Sequence, residues 1–172
     1  MKKITILGNP GAGKSTLAKK LGNMLNIPVY HMDTFYWKPG WVARDEQELL
    51  QLHDEVLTQE RWIIDGNYSV TLSKRLEEAD TVIFLHYSTI KCLYGITKRR
   101  IQYRKKARPD IGKDCPERLN VDFILWTKNF NKNKAVKIYE KLARIPHAEV
   151  HIFRNRKQLK NFLKELEQNL AN

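Results

Sequence analysis

Cysteine is scarce in this 172-residue sequence, which holds only Cys92 and Cys115, far apart and without a CxxC pattern. A disulfide framework and a zinc knuckle are thereby excluded, and both side chains are expected as reduced thiols. No apolar run approaches the roughly 18 residues of a membrane span. The opening MKKITILGNPGAGKST reaches its glycines before a signal-peptide core can form, so the expectation is a cytosolic protein with no membrane partner. Gly- or Pro-rich linkers, low-complexity tracts and solenoid-spaced repeats are missing. With 42% hydrophobic and 29% charged residues, the chain is expected to fold as one domain over residues 1–172. Zinc-finger, RNP and helix-turn-helix signatures are absent as well.

Acidic residues run short only in the second half. Residues 1–97 carry 11 charges of each sign, whereas residues 98–172 carry 20 basic and 8 acidic side chains, the whole of the net +12. Such a field meets anions: a phosphorylated small molecule, a nucleic acid or an anionic surface. A charged face that merely keeps the protein soluble is the plainer alternative.

Short apolar runs at 4–7, 27–30, 62–64, 82–85 and 150–153 alternate with helical patterns, which predicts five strands of a parallel sheet covered on both faces. Leu17, Ala18, Leu21 and Leu25 repeat at helical spacing, as do Leu159, Phe162, Leu163, Leu166 and Leu170. Residues 89–107 read as helix, 108–116 collect Pro109, Gly112 and Pro116 and break it, and 119–145 resume a helical stretch.

Directly after the first run, Gly8-Asn9-Pro10-Gly11-Ala12-Gly13-Lys14-Ser15-Thr16 matches GxxxxGK[ST] in a strand, loop, helix context. Glycines let the backbone wrap phosphate with its N–H groups turned inward, and the helix that follows adds its positive end. Asn9, Gly11, Ala12, Gly13, Lys14, Ser15 and Thr16 are the candidate nucleotide-binding residues. Lys14 supplies a charge for the β/γ-phosphates and Ser15 a hydroxyl for Mg²⁺. A Rossmann fingerprint does not fit, because Thr16 stands where its third glycine is required.

Ligands of open parallel sheets sit beyond the carboxyl ends of the strands, so Asp33 and Asp65 draw notice. Asp65 ends an apolar strand in the manner of a Walker B carboxylate and is a candidate metal ligand, with a capping role as the alternative. Asp33 fits a base for an acceptor hydroxyl, and equally a second metal-shell ligand or an Asx turn. His31, two residues earlier, is expected to pack on the opposite strand face. The aromatic loop 34–41, with Trp37 and Trp41, fits either a stacking wall for an acceptor or a cover for the sheet edge. Arg100, Arg104 and Arg108, spaced by four with Arg99 beside them, would share a helix face if the helix persists, and a basic lid is expected at about 100–118.

GNPGAGKSTLAKKL, HMDTFYWKPGW, WIIDGNY, RLEEADTVIFL and RPDIGKDCPERLNVDFILW together resemble the adenylate-kinase-like P-loop proteins of the DNA topology modulation family, over essentially the whole chain. Similarity to nucleoside monophosphate and shikimate kinases implies an α/β fold, a P-loop NTPase three-layer sandwich whose five-stranded parallel sheet runs 2-3-1-4-5. It also implies ATP and Mg²⁺ as cofactors, an acceptor beside Asp33, Trp37, Trp41, Asp65 and Asn67, and lid arginines at Arg100, Arg104 and Arg108. Arg154 and Asn155 fall where such kinases contact adenine. Asp65-Gly66-Asn67-Tyr68 replaces the Gly-Phe-Pro-Arg continuation of adenylate kinases.

Three functions compete. The first is a phosphotransferase moving the γ-phosphoryl of ATP to a small acceptor; Asp33, Asp65 and the arginines favour it. The second is a nucleic-acid-associated ATP-binding protein that modulates DNA topology, with residues 98–172 along a phosphate backbone. The third is a nucleotide-binding regulator without transfer.

Overall fold

In the computed structural model, which describes residues 1–104, 108, 110–112 and 114–171, alternation of strand and helix builds a three-layer α/β fold. Five parallel strands, β1 (Lys3–Gly8), β2 (Val29–His31), β5 (Trp62–Asp65), β6 (Thr81–Leu85) and β7 (Glu149–Phe153), are ordered β2-β5-β1-β6-β7. A short antiparallel hairpin, β3 (Trp37–Lys38) and β4 (Val42–Ala43), lies outside this sheet. The expected order 2-3-1-4-5 counted the strands of the large sheet alone; the hairpin adds two strands and shifts the later numbers.

Side chains alternate across the strands because the strand repeat is two residues. Ile4, Ile6, Ile63, Ile83 and Leu85 face a layer made by α1 (Lys14–Leu25), α8 (Arg156–Ala171) and Cys92 of α5 (Thr89–Gln102). Leu7, Trp62, Ile64, Val82 and Phe84 face the other layer, made by α3 (Glu46–Leu57), α4 (Ser69–Glu78), α6 (Val121–Asn133) and α7 (Ala135–Leu142). Helix starts follow local chemistry: the Asp45 carboxylate accepts from the Gln47 and Glu48 amides, and the Asn120 side chain accepts from the Phe123 amide.

Two expectations need correction. The helix of 89–107 ends at Gln102, where Tyr103 leaves the helical region at φ −108, ψ 29; residues 105–107 lie outside the described residues. The stretch 119–145 divides into α6 and α7 at Lys134. Sequence periodicity also missed α3, α4 and the five-residue helix α2 (Met32–Tyr36), which with the hairpin replaces the expected aromatic loop.

Candidate active site

The P-loop leaves β1 and enters α1 at Gly13, whose φ of 97° is a left-handed conformation that favours glycine. α5 crosses so close beneath it that a Cβ at Gly95 would collide with the Gly11 carbonyl. Lys14 Nζ donates to the carbonyls of Gly8 at 3.0 Å and Asn9 at 3.1 Å. Burial pushes the Lys14 ammonium below its ordinary pKa, while the charges of Asp65 and Asp33 pull it back up. Asn67 clasps the Gly8 peptide, accepting from its N–H at 3.1 Å and donating to its carbonyl at 2.7 Å. The carboxamide expected to meet an acceptor is thus engaged with the loop. Asn9 is fully buried, and its side-chain amide donates to Asn131 of α6 at 2.6 Å.

β2 and β5 pair in register with His31 opposite Asp65, and adjacent parallel strands in register present such partners to one face. His31 Nδ1 lies 2.6 Å from Asp65 Oδ1, with both side chains buried. His31, expected on the opposite strand face, instead shares the cavity wall with Asp65. Behind them Arg75 of α4 is fully buried, donating to the Gly66 carbonyl at 2.9 Å, and its burial pushes its pKa down to about 10.

Asp33, in α2, accepts from the Tyr68 hydroxyl at 2.8 Å and lies 3.6 Å from a guanidinium nitrogen of Arg108. Burial, with Asp33 beside it, drives the Tyr68 phenol to a strongly raised pKa, so this donor keeps its proton. Arg108 is 8% exposed and also pairs with Asp110 at 3.1 Å and Glu117 at 2.8 Å. The other Glu117 oxygen meets Arg99 Nε at 2.8 Å, so one buried carboxylate spans two guanidinium groups. Burial raises the Asp110 carboxyl, yet the Arg108 guanidinium and the nearby Ser15 hydroxyl outweigh it and hold the group below its ordinary value.

Residues 114–118 are docked on the hairpin. Gly40 N–H donates to the Asp114 carbonyl at 3.2 Å, Trp41 Nε1 to the Pro116 carbonyl at 3.1 Å and Cys115 Sγ to the Lys38 carbonyl at 3.4 Å. Trp37 and Trp41 pack edge to face at 5.2 Å, and Arg118 lies over the Trp41 ring at 5.6 Å.

One cavity of about 1220 Å³ gathers much of this chemistry: Gly11, Gly13, Lys14, Ser15 and Thr16 from the P-loop, then Asp33, Trp37, Trp41, Asp65 and Asn67. The lid side is rearranged from expectation. Arg108 lines the cavity together with Arg99; Arg100, next to Arg99 in α5 but turned about 100° from it, does not, nor does exposed Arg104, which lies beyond the end of α5 at Gln102. Arg154 and Asn155 are also off the wall, where Arg156 stands instead. The Arg154 amide donates to Gln158, and Asn155 accepts from the Gln158 amide at 3.0 Å at the start of α8. Among the described residues no three His, Cys, Asp or Glu side chains converge as a metal cage, and no helix is long and apolar enough to cross a membrane.

Solved structures share this fold. The chain is similar to shikimate kinase from Acinetobacter baumannii in complex with shikimate, at TM-score 0.63 and 14% identity, covering 98% of this chain and 94% of that one. A gluconokinase from Sinorhizobium meliloti 1021 aligns at TM-score 0.55 and 15% identity over 99% and 91% of the two chains. Shikimate kinase from Bacteroides thetaiotaomicron aligns at TM-score 0.51 and 20% identity over 98% of each. The chain has the fold of these shikimate kinases and of the gluconokinase. Comparison with family profiles returned no match, and neither did comparison with curated protein sequences.

Proposed function

We propose that this protein is an ATP-dependent phosphotransferase that moves the γ-phosphoryl group of ATP to a hydroxyl of a small molecule. The observation that carries this reading is the position of Arg108, whose guanidinium reaches the Asp33 carboxylate at 3.6 Å while its partner Asp110 lines the same cavity as Ser15 of the P-loop. A lid-borne cation thus stands between the carboxylate of the acceptor side and the loop of the donor side, as phosphoryl transfer requires.

In this reading Asp33 Oδ takes the proton of the acceptor hydroxyl. The acceptor oxygen bonds to the γ-phosphorus, the bond from that phosphorus to the β–γ bridging oxygen breaks, and ADP leaves with the electron pair. Tyr68 and Arg108 hold the Asp33 carboxylate in place. Lys14, Arg108 and Arg99 face the charge that spreads over the equatorial oxygens. The donor set suits MgATP: an open cradle at Gly13, where a Cβ would meet nothing within 4 Å, and hard oxygens on Ser15, Asp65 and Asp110. Ser15, with Asp65 directly or through water, would hold the Mg²⁺, which neutralises phosphate charge when bound.

The similar kinases act on small molecules by name, which supports the same scale of acceptor. The narrower kinship with adenylate-kinase-like DNA topology modulation proteins rests on the sequence motifs. ADP release from MgATP, measured with hydroxylated acids, sugars, nucleosides and nucleotides and then with duplex DNA, tests the reading. Stoichiometric phosphorylated product from one small acceptor is expected. Turnover stimulated by DNA alone overturns it.

A further inference from the structure

The cavity is larger than the few hundred cubic ångströms that a phosphoryl donor or a small acceptor needs alone, and part of its lining is left unused by the transfer chemistry. This part of the lining comprises Ser69, Val70 and Leu72 of α4 with Lys137 and Lys141 of α7 and Lys134, the residue that caps its start. Steps of three and four residues place these lysines on one helix face, over about 10 Å of rise. The Lys141 ammonium donates to Ser73 of α4 at 2.6 Å, which ties the two walls together. Lys134 and Lys137 are exposed, and among the described residues neither meets a carboxylate within the 4.0 Å of an ion pair. The other flank is apolar, formed by Val70 of α4 and Trp126 of α6, which is 40% exposed.

Resting on the phosphotransferase reading, we infer that the acceptor is a phosphate monoester bearing a free hydroxyl: the hydroxyl meets Asp33, and the remote phosphate lies on the Lys134, Lys137 and Lys141 face. Three compact ammonium charges suit a tetrahedral dianion; a planar carboxylate is better read by the fork of an arginine. The Asp33 carboxylate repels an anionic attacking group, so the acceptor enters hydroxyl first with its charge toward α7. Part of the basic excess of residues 98–172 thereby acquires a role that a merely soluble surface does not require.

The test uses matched pairs: ribose and ribose 5-phosphate, gluconate and 6-phosphogluconate, adenosine and adenosine 5′-monophosphate. Binding is read by thermal shift of the full chain with a non-hydrolysable ATP analogue and Mg²⁺, and transfer is read separately by ADP release from MgATP. One phosphorylated member is expected to bind at least tenfold tighter than its neutral partner, and the sugar and nucleotide pairs separate the sources of the phosphate. The double variant Lys134→Glu/Lys137→Glu, with Lys134→Gln/Lys137→Gln as a milder control of folding, is expected to bring that ratio to within about twofold. Equal binding of both members, no binding by any pair, or an unchanged ratio in both variants overturns the inference. Lysine-dependent binding without ADP release upholds the phosphate site and overturns the transfer reading; transfer to neutral members alone does the reverse.

Discussion

His31 and Asp65 stand 2.6 Å apart at the carboxyl ends of neighbouring strands, 34 residues apart in sequence. Their pairing follows from the parallel register of β2 and β5, which puts the imidazole and the carboxylate on one face. Replacing the histidine leaves a buried carboxylate without its partner, a loss on the order of 2 kcal/mol. His31→Leu is expected to lower stability in urea by about that amount. An unchanged midpoint would mean that Asp65 finds another donor.

Glu117 holds Arg99 and Arg108 by one oxygen each. Glu117→Gln removes the charge between buried Arg108 and half-buried Arg99, and breaking such a buried pair costs about 3 kcal/mol. The expected outcome is a lower urea midpoint together with a drop of at least tenfold in kcat for ADP release, since both arginines lose their fixed position. A stability loss with kcat intact would assign Glu117 to the fold alone.

Lys14→Ala is expected to abolish ATP turnover with the circular dichroism spectrum unchanged. Asp33→Asn is expected to reduce kcat roughly 10²- to 10⁴-fold, the usual worth of a general base. Normal kcat in Asp33→Asn would sink the role given to this carboxylate.

Gly95→Ala tests the close approach of α5 to the P-loop. The added methyl has no room beside the Gly11 carbonyl, so the loop must shift. ATP affinity is expected to fall at least tenfold while the urea midpoint moves by about 1–3 kcal/mol, the cost of overpacking.

The Asp110 carboxyl is held below its ordinary value of 3.8, so its ionised form stabilises the fold above that pH and the contribution disappears as pH falls through the lower, folded-state value. Asp110→Asn is therefore expected to show a smaller loss of stability than the parent chain between pH 5 and pH 2. Parallel curves for the two proteins would show that Asp110 gains nothing from Arg108 and Ser15.

The sequence by itself determined what depends on neighbours along the chain. Short β-branched runs marked the five strands of the large sheet, and the glycine-rich loop was legible because strand, turn and helix follow one another without interruption. α3 and α4 escaped because their buried residues, such as His53, Thr71 and Arg75, are polar and blur the apolar period. Tertiary structure alone decided the partners. Asn67 reaches Gly8 across 59 residues, Glu117 reaches Arg99 across 18, and Arg99 rather than Arg100 faces the cavity because of how α5 packs. Strand order, register and helix ends set these contacts, and each results from packing between segments that the linear pattern leaves independent.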